Sequence, residues 1–386
     1  MNREGARRGG AVSISRRSFV RGAAGLGAVG GLGYAGLRAF VSTGSPIAAT
    51  GDDGPPTTEP ADLLDRLADN VVSGGPPKDG IPAVDEPQFV GAADAVFVSD
   101  DDVVFGLVLA GEAHAYPQLV LVWHEIVNDR FPDGPISVTY CPLTGSAVGF
   151  RGTAPDGDPY TFGTTGKLVN SNLLMYDRQT DSEWPQLLGA AITGVARGEV
   201  LDEIPVDWTT WSGWRRAHPD TVVLTTDTGY LRSYGEDPYG SYTPLSGYYE
   251  SDRLIFGVLH DDDRLPRKDV VIGVKHTDDR LAVSKTLVRE RKAVRAAIGG
   301  EPVVVLHDPD LDEGRAFLER LPSGETVLSP TDQPGRYEDD SSGSLWDASG
   351  TAVDGPLEGE TLPRLLSLDV MWFAWAAFYP QTSLIS

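Results

Sequence analysis

Cysteine is almost absent from this chain, since Cys141 is the only one among 386 residues. A single cysteine excludes an intrachain disulfide, so the fold must be held together by its hydrophobic core. No cysteine follows the apolar N-terminal segment, which excludes the usual attachment of a lipoprotein. With 40% hydrophobic residues, the chain is long enough for one large domain or two smaller ones.

Basic residues are also scarce, because 32 Lys and Arg stand against 56 Asp and Glu, for a net charge of −24. A dense carboxylate surface argues against nucleic acid and against an anionic membrane surface as partners. The sequence also contains no basic stripe, no phosphate-cradling glycine loop and no zinc-finger spacing. This charge repels itself in dilute buffer and is screened at high ionic strength, so we expect a halophilic source such as an archaeon.

The N-terminal segment carries an export signal. Residues 15–20 read Ser-Arg-Arg-Ser-Phe-Val and precede an apolar, glycine-rich stretch at 22–40. The pattern predicts a twin-arginine signal over residues 1–41, cleaved or retained, that is recognised by the twin-arginine export machinery. An N-terminal membrane helix is the alternative, although the many glycines make a poor anchor. Residues 42–60 are predicted to be an acidic flexible linker, and we expect an extracellular or cell-surface protein.

An internal duplication is the most informative pattern in the rest of the chain. Residues 104–108 match residues 271–275, and residues 135–138 match residues 302–305 in the same register. Equivalent pairs later in the chain are Asp177 and Asp339, Trp184 and Trp346, Trp211 and Trp372, Trp214 and Trp375, Pro219 and Pro380, and Thr221 and Thr382. We therefore predict two tandem copies, with the first unit, its lead-in and its connector at 61–269 and a diverged second unit at 270–386.

The predicted fold class is α+β and β-rich, with one or two helices in each strand-rich copy. In the first copy, strands are predicted at 103–109, 136–140, 147–150, 160–163 and 173–176. Helices are predicted at 61–67, 117–129 and 208–217. Trp211 and Trp214 lie on one face of the last helix, and we interpret them as core anchors.

The two copies differ in their chemistry at one place, near Cys141. This residue ends a strand, before a proline and a Gly-Ser turn, where loops often carry function. Where the first copy has His124, Glu125, Asn128 and Asp129, the second has Arg291, Lys292, Arg295 and Ala296, and Asp308 replaces Cys141. We interpret the residues that the two copies share as structural, and the residues that differ as candidates for one functional site in the first copy. The alternative is that His124 and Cys141 are ordinary core residues.

Several motifs resemble a known family. They are residues 79–83 (Asp-Gly-Ile-Pro-Ala), 124–129 (His-Glu-Ile-Val-Asn-Asp), 140–144 (Tyr-Cys-Pro-Leu-Thr), 170–177 (Asn-Ser-Asn-Leu-Leu-Met-Tyr-Asp) and 234–239 (Tyr-Gly-Glu-Asp-Pro-Tyr). The set resembles the domain-of-unknown-function family numbered 3179, and this resemblance implies no particular activity. Many relatives look like Cys-Pro-Leu-Cys where this chain has residues 141–144. A dithiol redox couple or a two-thiolate metal clip therefore cannot be built within this chain.

A soft-metal site is the first of three hypotheses for this region. Cys141, His124 and Met175 offer a thiolate, an imidazole and a thioether, a set that suits copper. A carboxylate is an alternative third ligand. Sharing one ion requires the Cys141 sulfur and a His124 nitrogen to lie about 3–4 Å apart. We therefore expect the two side chains to meet in a cleft.

A cysteine enzyme is the second hypothesis. Cys141 is the nucleophile, His124 its base, and Glu125 or Asp129 orients the histidine. Backbone N–H groups of the turn at residues 144–146 are the candidate oxyanion donors.

A non-catalytic surface module that binds a small ligand is the third hypothesis. Its candidate residues are polar side chains that order a loop, namely Asn128, Thr144, Ser146, Asn170, Asn172 and Asp177. Asparagine and aspartate at such positions are more often turn and cap residues than ligands.

Overall fold

The computed structural model describes residues 61–321 and 324–386. The predicted signal segment (1–41) and linker (42–60) lie outside these residues. Within the described part, no helix combines the length and the hydropathy needed to cross a membrane. The described chain is mostly β-strand with a few short helices, so the prediction of a β-rich fold is confirmed.

The elements fall into three stretches. Up to residue 224 they are α1 (Ala61–Asp69), β1 (Val72–Ser73), β2 (Phe89–Gly91), a 3₁₀ turn (Ala92–Asp94), β3 (Val103–Leu109), β4 (Glu112–Pro117), α2 (Gln118–His124), β5 (Ile126–Phe131), β6 (Gly134–Cys141), β7 (Ser146–Arg151), β8 (Phe162–Val169), β9 (Asn172–Asp177), β10 (Glu183–Pro185), β11 (Asp202–Ile204), β12 (Asp207–Thr210), α3 (Trp211–Ala217) and β13 (Val222–Leu224). The connector holds β14 (Gly240–Tyr242) and β15 (Leu245–Gly247).

The third stretch begins at residue 270. Its elements are β16 (Val270–His276), β17 (Asp279–Ser284), α4 (Lys285–Arg291), β18 (Ala293–Ile298), β19 (Glu301–Asp308), β20 (Glu313–Leu318), β21 (Arg320–Leu321), β22 (Gly324–Glu325), β23 (Leu328–Pro330), β24 (Arg336–Asp339), β25 (Leu345–Asp347), β26 (Ala352–Asp354), β27 (Leu366–Met371), α5 (Trp372–Phe378) and β28 (Ser383–Ile385).

Three small sheets make up the first stretch, in the strand orders β12-β3-β4-β13-β2, β11-β7-β6-β5 and β1-β8-β9-β10. The hairpin of β3 and β4 turns at Ala110 and Gly111, whose φ angles of 50° and 82° suit a tight two-residue turn. Along β6, Ile136, Val138 and Tyr140 belong to one core cluster, whereas Cys141 belongs to another. This alternation follows from the two-residue period of a strand.

The third stretch has the same order of elements over its first half, strand-strand-helix followed by three strands. Its sheet β27-β16-β17-β28 corresponds to β12-β3-β4-β13, and the last pair of strands is parallel in both. The indole N–H of Trp214 donates to Thr221 at 2.9 Å, and that of Trp375 donates to Thr382 at 3.0 Å. All four helix tryptophans are buried, so the interpretation of Trp211 and Trp214 as core anchors is confirmed.

The largest core cluster joins the first and third stretches. Cys141, Met175 and Trp184 lie in the same cluster as Trp372 and Trp375 of α5. Between the stretches, the backbone N–H of Met371 donates to the carbonyl of Thr144 at 2.9 Å. Lys275 forms a buried ion pair with Glu203 at 2.5 Å. The two stretches therefore share apolar packing, backbone hydrogen bonds and buried charge.

The predicted helix at 117–129 is wrong in its second half. The helix ends at His124, and Asn128 and Asp129 lie on strand β5 instead. Glu125 has a left-handed φ of 59°, and its N–H donates to the carbonyl of Leu121, which closes the helix. The β-branched residues that follow then pair with β6. His124 and Asn128 consequently do not share a helical face.

Candidate functional site

The end of helix α2 directs two neighbouring side chains to different surroundings. Glu125 is one of few non-glycine residues with positive φ, a conformation that costs free energy and is often found at functional sites. Its side chain lines the larger of two neighbouring cavities. His124, one residue earlier, instead contacts Pro82 and Tyr234. The strained turn at Glu125 thus gives the Glu125 carboxyl and the His124 imidazole different surroundings, although the two residues are adjacent in the sequence.

The larger cavity has a volume of about 640 Å³. Its walls come from the loop at residues 74–81, the end of α2, the hairpin of β8 and β9, and the connector. Apolar side chains dominate its lining, among them Leu143, Leu173, Ile255 and Phe256. Cavities of this size and character are typical of small-molecule sites.

Glu125 is the only carboxyl group among the described residues that line this cavity. Burial raises its pKa from 4.5 to about 8, and the residue is only 8% exposed. Within the described chain its carboxyl has no protein hydrogen-bond partner, and its oxygens are accessible from the cavity. At neutral pH the group is therefore mainly a neutral carboxylic acid, able to donate one hydrogen bond into the cavity.

His124 is fully buried, and both of its ring nitrogens have partners. Nδ1 lies 2.7 Å from the carbonyl oxygen of Pro82, and Nε2 lies 2.7 Å from the hydroxyl of Tyr234. Burial lowers the pKa of His124, and the nearby Arg232 charge adds to this effect. A carbonyl only accepts, so Nδ1 carries the proton of the neutral ring and Nε2 accepts from Tyr234.

Cys141 lies in the apolar core and is 1% exposed. Burial raises the pKa of its thiol to about 11, and the nearby Glu125 carboxyl acts in the same direction. Its sulfur contacts the carbonyl of Ser171 at 4.0 Å, and within the described chain no hydrogen bond joins it to His124. The geometry brings Cys141 close to Glu125 and gives His124 other partners.

Three of the predicted polar residues belong to one buried hydrogen-bond network. The hydroxyls of Thr144 and Ser146 lie 2.9 Å apart, and the amide of Asn172 donates to Thr144 at 3.1 Å. Gln186 accepts from Ser146 and from Asn172, at 2.8 and 2.9 Å. The network joins β7, β9, the turn between β6 and β7 and the residue after β10, and a bond from Gln186 to Thr139 at 3.1 Å extends it to β6. No pattern in the sequence singled out Gln186.

Asn128 and Asp129 point to opposite faces of β5. Asn128 donates to Asp85 at 2.7 Å and accepts from the hydroxyl of Ser137 at 2.6 Å. Asp129 lies 2.8 Å from Nδ1 of His114 and accepts from the hydroxyl of Tyr116 at 2.6 Å. Each side chain is therefore satisfied by its own set of neighbouring strands and loops.

The remaining predicted residues have packing or turn contacts. Asn170 has a left-handed φ of 52° in the β8–β9 turn, and its amide donates to the carbonyl of Ala377. Asp177 accepts from the indole N–H of Trp184 at 2.9 Å. Met175 is fully buried and lies opposite Trp184 in the sheet. Among the residues that the structure describes, no group of three or more His, Cys, Asp or Glu side chains is arranged to hold a metal ion.

Sequence reasoning missed the cationic and connector residues of the site. Lys167 and Arg232 line the larger cavity together with Tyr239. The motif at residues 234–239 was the available signal, because Tyr234 contacts His124 and Tyr239 lines the cavity. The sequence pattern alone did not indicate a role for this motif.

The fold and the site define a β-rich α+β protein whose mainly apolar cavity contains one buried carboxyl group. The family model described as "Protein of unknown function (DUF3179)" matches residues 78–382, and the chain belongs to this family. This match confirms the resemblance seen in the motifs. Comparison with curated proteins gave no match, and comparison with solved structures gave none.

Proposed function

We propose that this protein binds a small, mainly apolar molecule in the 640 Å³ cavity, with the neutral Glu125 carboxyl as its principal hydrogen-bonding group. The observation that carries the proposal is the unpartnered Glu125 carboxyl, buried and facing an apolar cavity. Leaving a polar group without a partner costs free energy. A ligand with an acceptor group would supply the missing hydrogen bond.

The copper and cysteine-enzyme hypotheses have less support. A metal site needs the Cys141 thiolate and a free nitrogen of His124, yet the thiol has a raised pKa and both ring nitrogens have partners. A nucleophile needs an accessible thiolate, and Cys141 is buried. The ligand-binding hypothesis needs neither residue to react.

We also propose that the first and third stretches are diverged copies of one unit, and that the cavity belongs to the first copy and the connector. The shared order of elements and the paired tryptophans support this. Helices α2 and α4 are each followed by a residue with positive φ, Glu125 at 59° and Lys292 at 66°. The same backbone turn thus carries a neutral acid in one copy and an exposed lysine in the other.

A neutral naphthalene ketone whose fluorescence increases in apolar surroundings, such as Prodan, tests the ligand-binding proposal. Glu125→Leu removes the donor to the ketone, and we expect the probe to bind about five- to tenfold more weakly. Glu125→Gln keeps a donor and should retain most of the affinity. Glu290→Leu, on an exposed face of α4, is the matched control.

A second pair of variants tests the location. Ile255→Trp fills the cavity and should abolish the fluorescence increase, whereas Val353→Trp, at an exposed strand position, should not. Probe binding that survives Ile255→Trp in a folded protein would refute the proposal.

A further inference from the structure

The charge at the edge of the cavity indicates which kind of ligand it takes. Arg232 lines the larger cavity and also a smaller one of about 330 Å³, and Gly80 is common to both linings. Arg232 therefore lies where the linings of the two cavities meet.

Arg232 is a cation without a carboxylate partner among the described residues. Its guanidinium donates to the carbonyl of Leu231 at 3.1 Å and lies 5.8 Å from the ring centroid of Tyr230. The other cations of the two cavities are neutralised. Lys167 pairs with Glu183 at 2.7 Å, and Arg178 pairs with Asp85 at 2.6 Å. In a protein with 56 acidic residues, an unpaired arginine at a cavity edge is available for an external anion.

The groups around Glu125 do not oppose an anion at neutral pH. Burial raises the pKa values of Cys141 and Tyr239, the titratable groups whose charge couples to Glu125. His124 is neutral because burial lowers its pKa. The larger cavity therefore has a positive edge at Arg232 and neutral, mostly apolar walls.

The smaller cavity is less suited to an anion. Asp79 and Asp85 line it together with Arg178, which pairs with Asp85 at 2.6 Å. The carboxylate of Asp79 has no ion pair of this kind among the described residues and would repel a second anion. An anionic group on Arg232 is consequently expected on the side of the larger cavity.

We infer that the ligand is an amphipathic monoanion with a second, neutral acceptor, such as a medium-chain keto acid: its carboxylate pairs with Arg232, its ketone accepts from Glu125, and its apolar body fills the larger cavity. This inference rests on the ligand-binding proposal and adds the charge of the ligand. The pairing is charge-assisted and can be bidentate, because guanidinium and carboxylate match in geometry. The apolar chain is bound through burial of its surface.

Displacement of Prodan by decanoate and by decanol tests the charge, because the two molecules share a chain and differ in the head group. Both are used below the concentration at which they aggregate, at pH 7 and one fixed salt concentration. We expect decanoate to bind about ten- to a hundredfold more tightly than decanol. In Arg232→Gln the ratio should fall close to one, with decanol binding unchanged. Arg253→Gln, an exposed arginine of the same connector, should keep the wild-type ratio.

Some outcomes would overturn only the inference about the charge of the ligand, and one would also overturn the ligand-binding proposal. Equal binding of decanoate and decanol by the wild type, or an unchanged ratio in Arg232→Gln, overturns the inference and leaves the ligand-binding proposal standing. Failure of Prodan and of both displacers to bind the folded wild type overturns both. If Arg232→Gln does not fold, the wild type at low and at high salt replaces it, because salt screens the pairing of decanoate with Arg232. A ratio that does not fall at high salt overturns the inference.

Discussion

A single residue, Glu125, combines three unusual properties. It has a left-handed backbone, its carboxyl is buried, and the carboxyl has no protein partner within the described chain. Each property costs stability. A residue with such unfavourable properties is often functional, because a bound ligand can supply interactions that offset their free-energy cost and that the ligand-free protein lacks.

The pKa of Glu125 makes the stability of the protein depend on pH. Its folded value, about 8, lies above the ordinary 4.5, so the folded state holds a proton that the unfolded state has lost. Stability contributed by this group is therefore lost as pH rises from about 5 to 8, by at most about 1.4 kcal/mol per pH unit. In Glu125→Gln this loss should disappear.

Urea unfolding at pH 5, 6, 7, 8 and 9, at one salt concentration, measures the effect. The stability of Glu125→Gln relative to the wild type should increase across the series and level off above pH 8. Glu290→Gln is the exposed control and should show no such trend. Parallel wild-type and Glu125→Gln curves would mean that the carboxyl is ionised in the folded protein.

At the scale of elements, two glycines allow a helix to pack onto a strand. A Cβ at Gly106 would lie 2.1 Å from the ring of Trp214, and one at Gly273 would lie 2.4 Å from the ring of Trp375. Neither ring can move freely, because its N–H is bonded to a threonine. Only glycine therefore permits this contact in either stretch.

Gly106→Ala and Gly273→Ala should each destabilise the protein by about 1–3 kcal/mol or more through overpacking. Gly91→Ala is the control, because it also lies in a strand and its Cβ would meet no atom within 4 Å. Its effect should be within about 0.5 kcal/mol. Urea midpoints of the three variants measure the difference. A similar midpoint for Gly106→Ala and Gly91→Ala would exclude the close packing described above.

Individual elements were predictable where local pattern decides them. Strand β3 has the predicted limits, 103 to 109, because it is a run of β-branched and apolar residues between turns. The end of helix α2 was not predictable, because the left-handed residue there is a glutamate and not a glycine. The cavity was not predictable either. Its walls come from segments far apart in the chain, and local periodicity carries no information about such contacts.

At the scale of the molecule, the net charge and the paired arginines Arg16 and Arg17 are the features from which we predict the location of the protein outside the cytoplasm. Export by the twin-arginine route stays a prediction, because residues 1–60 lie outside the described chain. Replacing Arg16 and Arg17 by lysine should leave the protein in the cytoplasm. Replacing Arg7 and Arg8 by lysine is the matched control and should not affect export. Immunoblots of cell and medium fractions measure the result, and unchanged export of the first variant would contradict the prediction.

The core shared between the first and third stretches determines when the molecule can fold. The carbonyl of Thr144, three residues after Cys141, accepts from Met371, and the hydroxyl of Tyr379 donates to Leu187 at 2.6 Å. A nascent chain cannot make these contacts until the residues near position 379 have left the ribosome. Contacts over such separations form slowly, so the shared core should be completed late in folding. The shared core would then be the last part to form, and a chain interrupted before residue 371 would lack it.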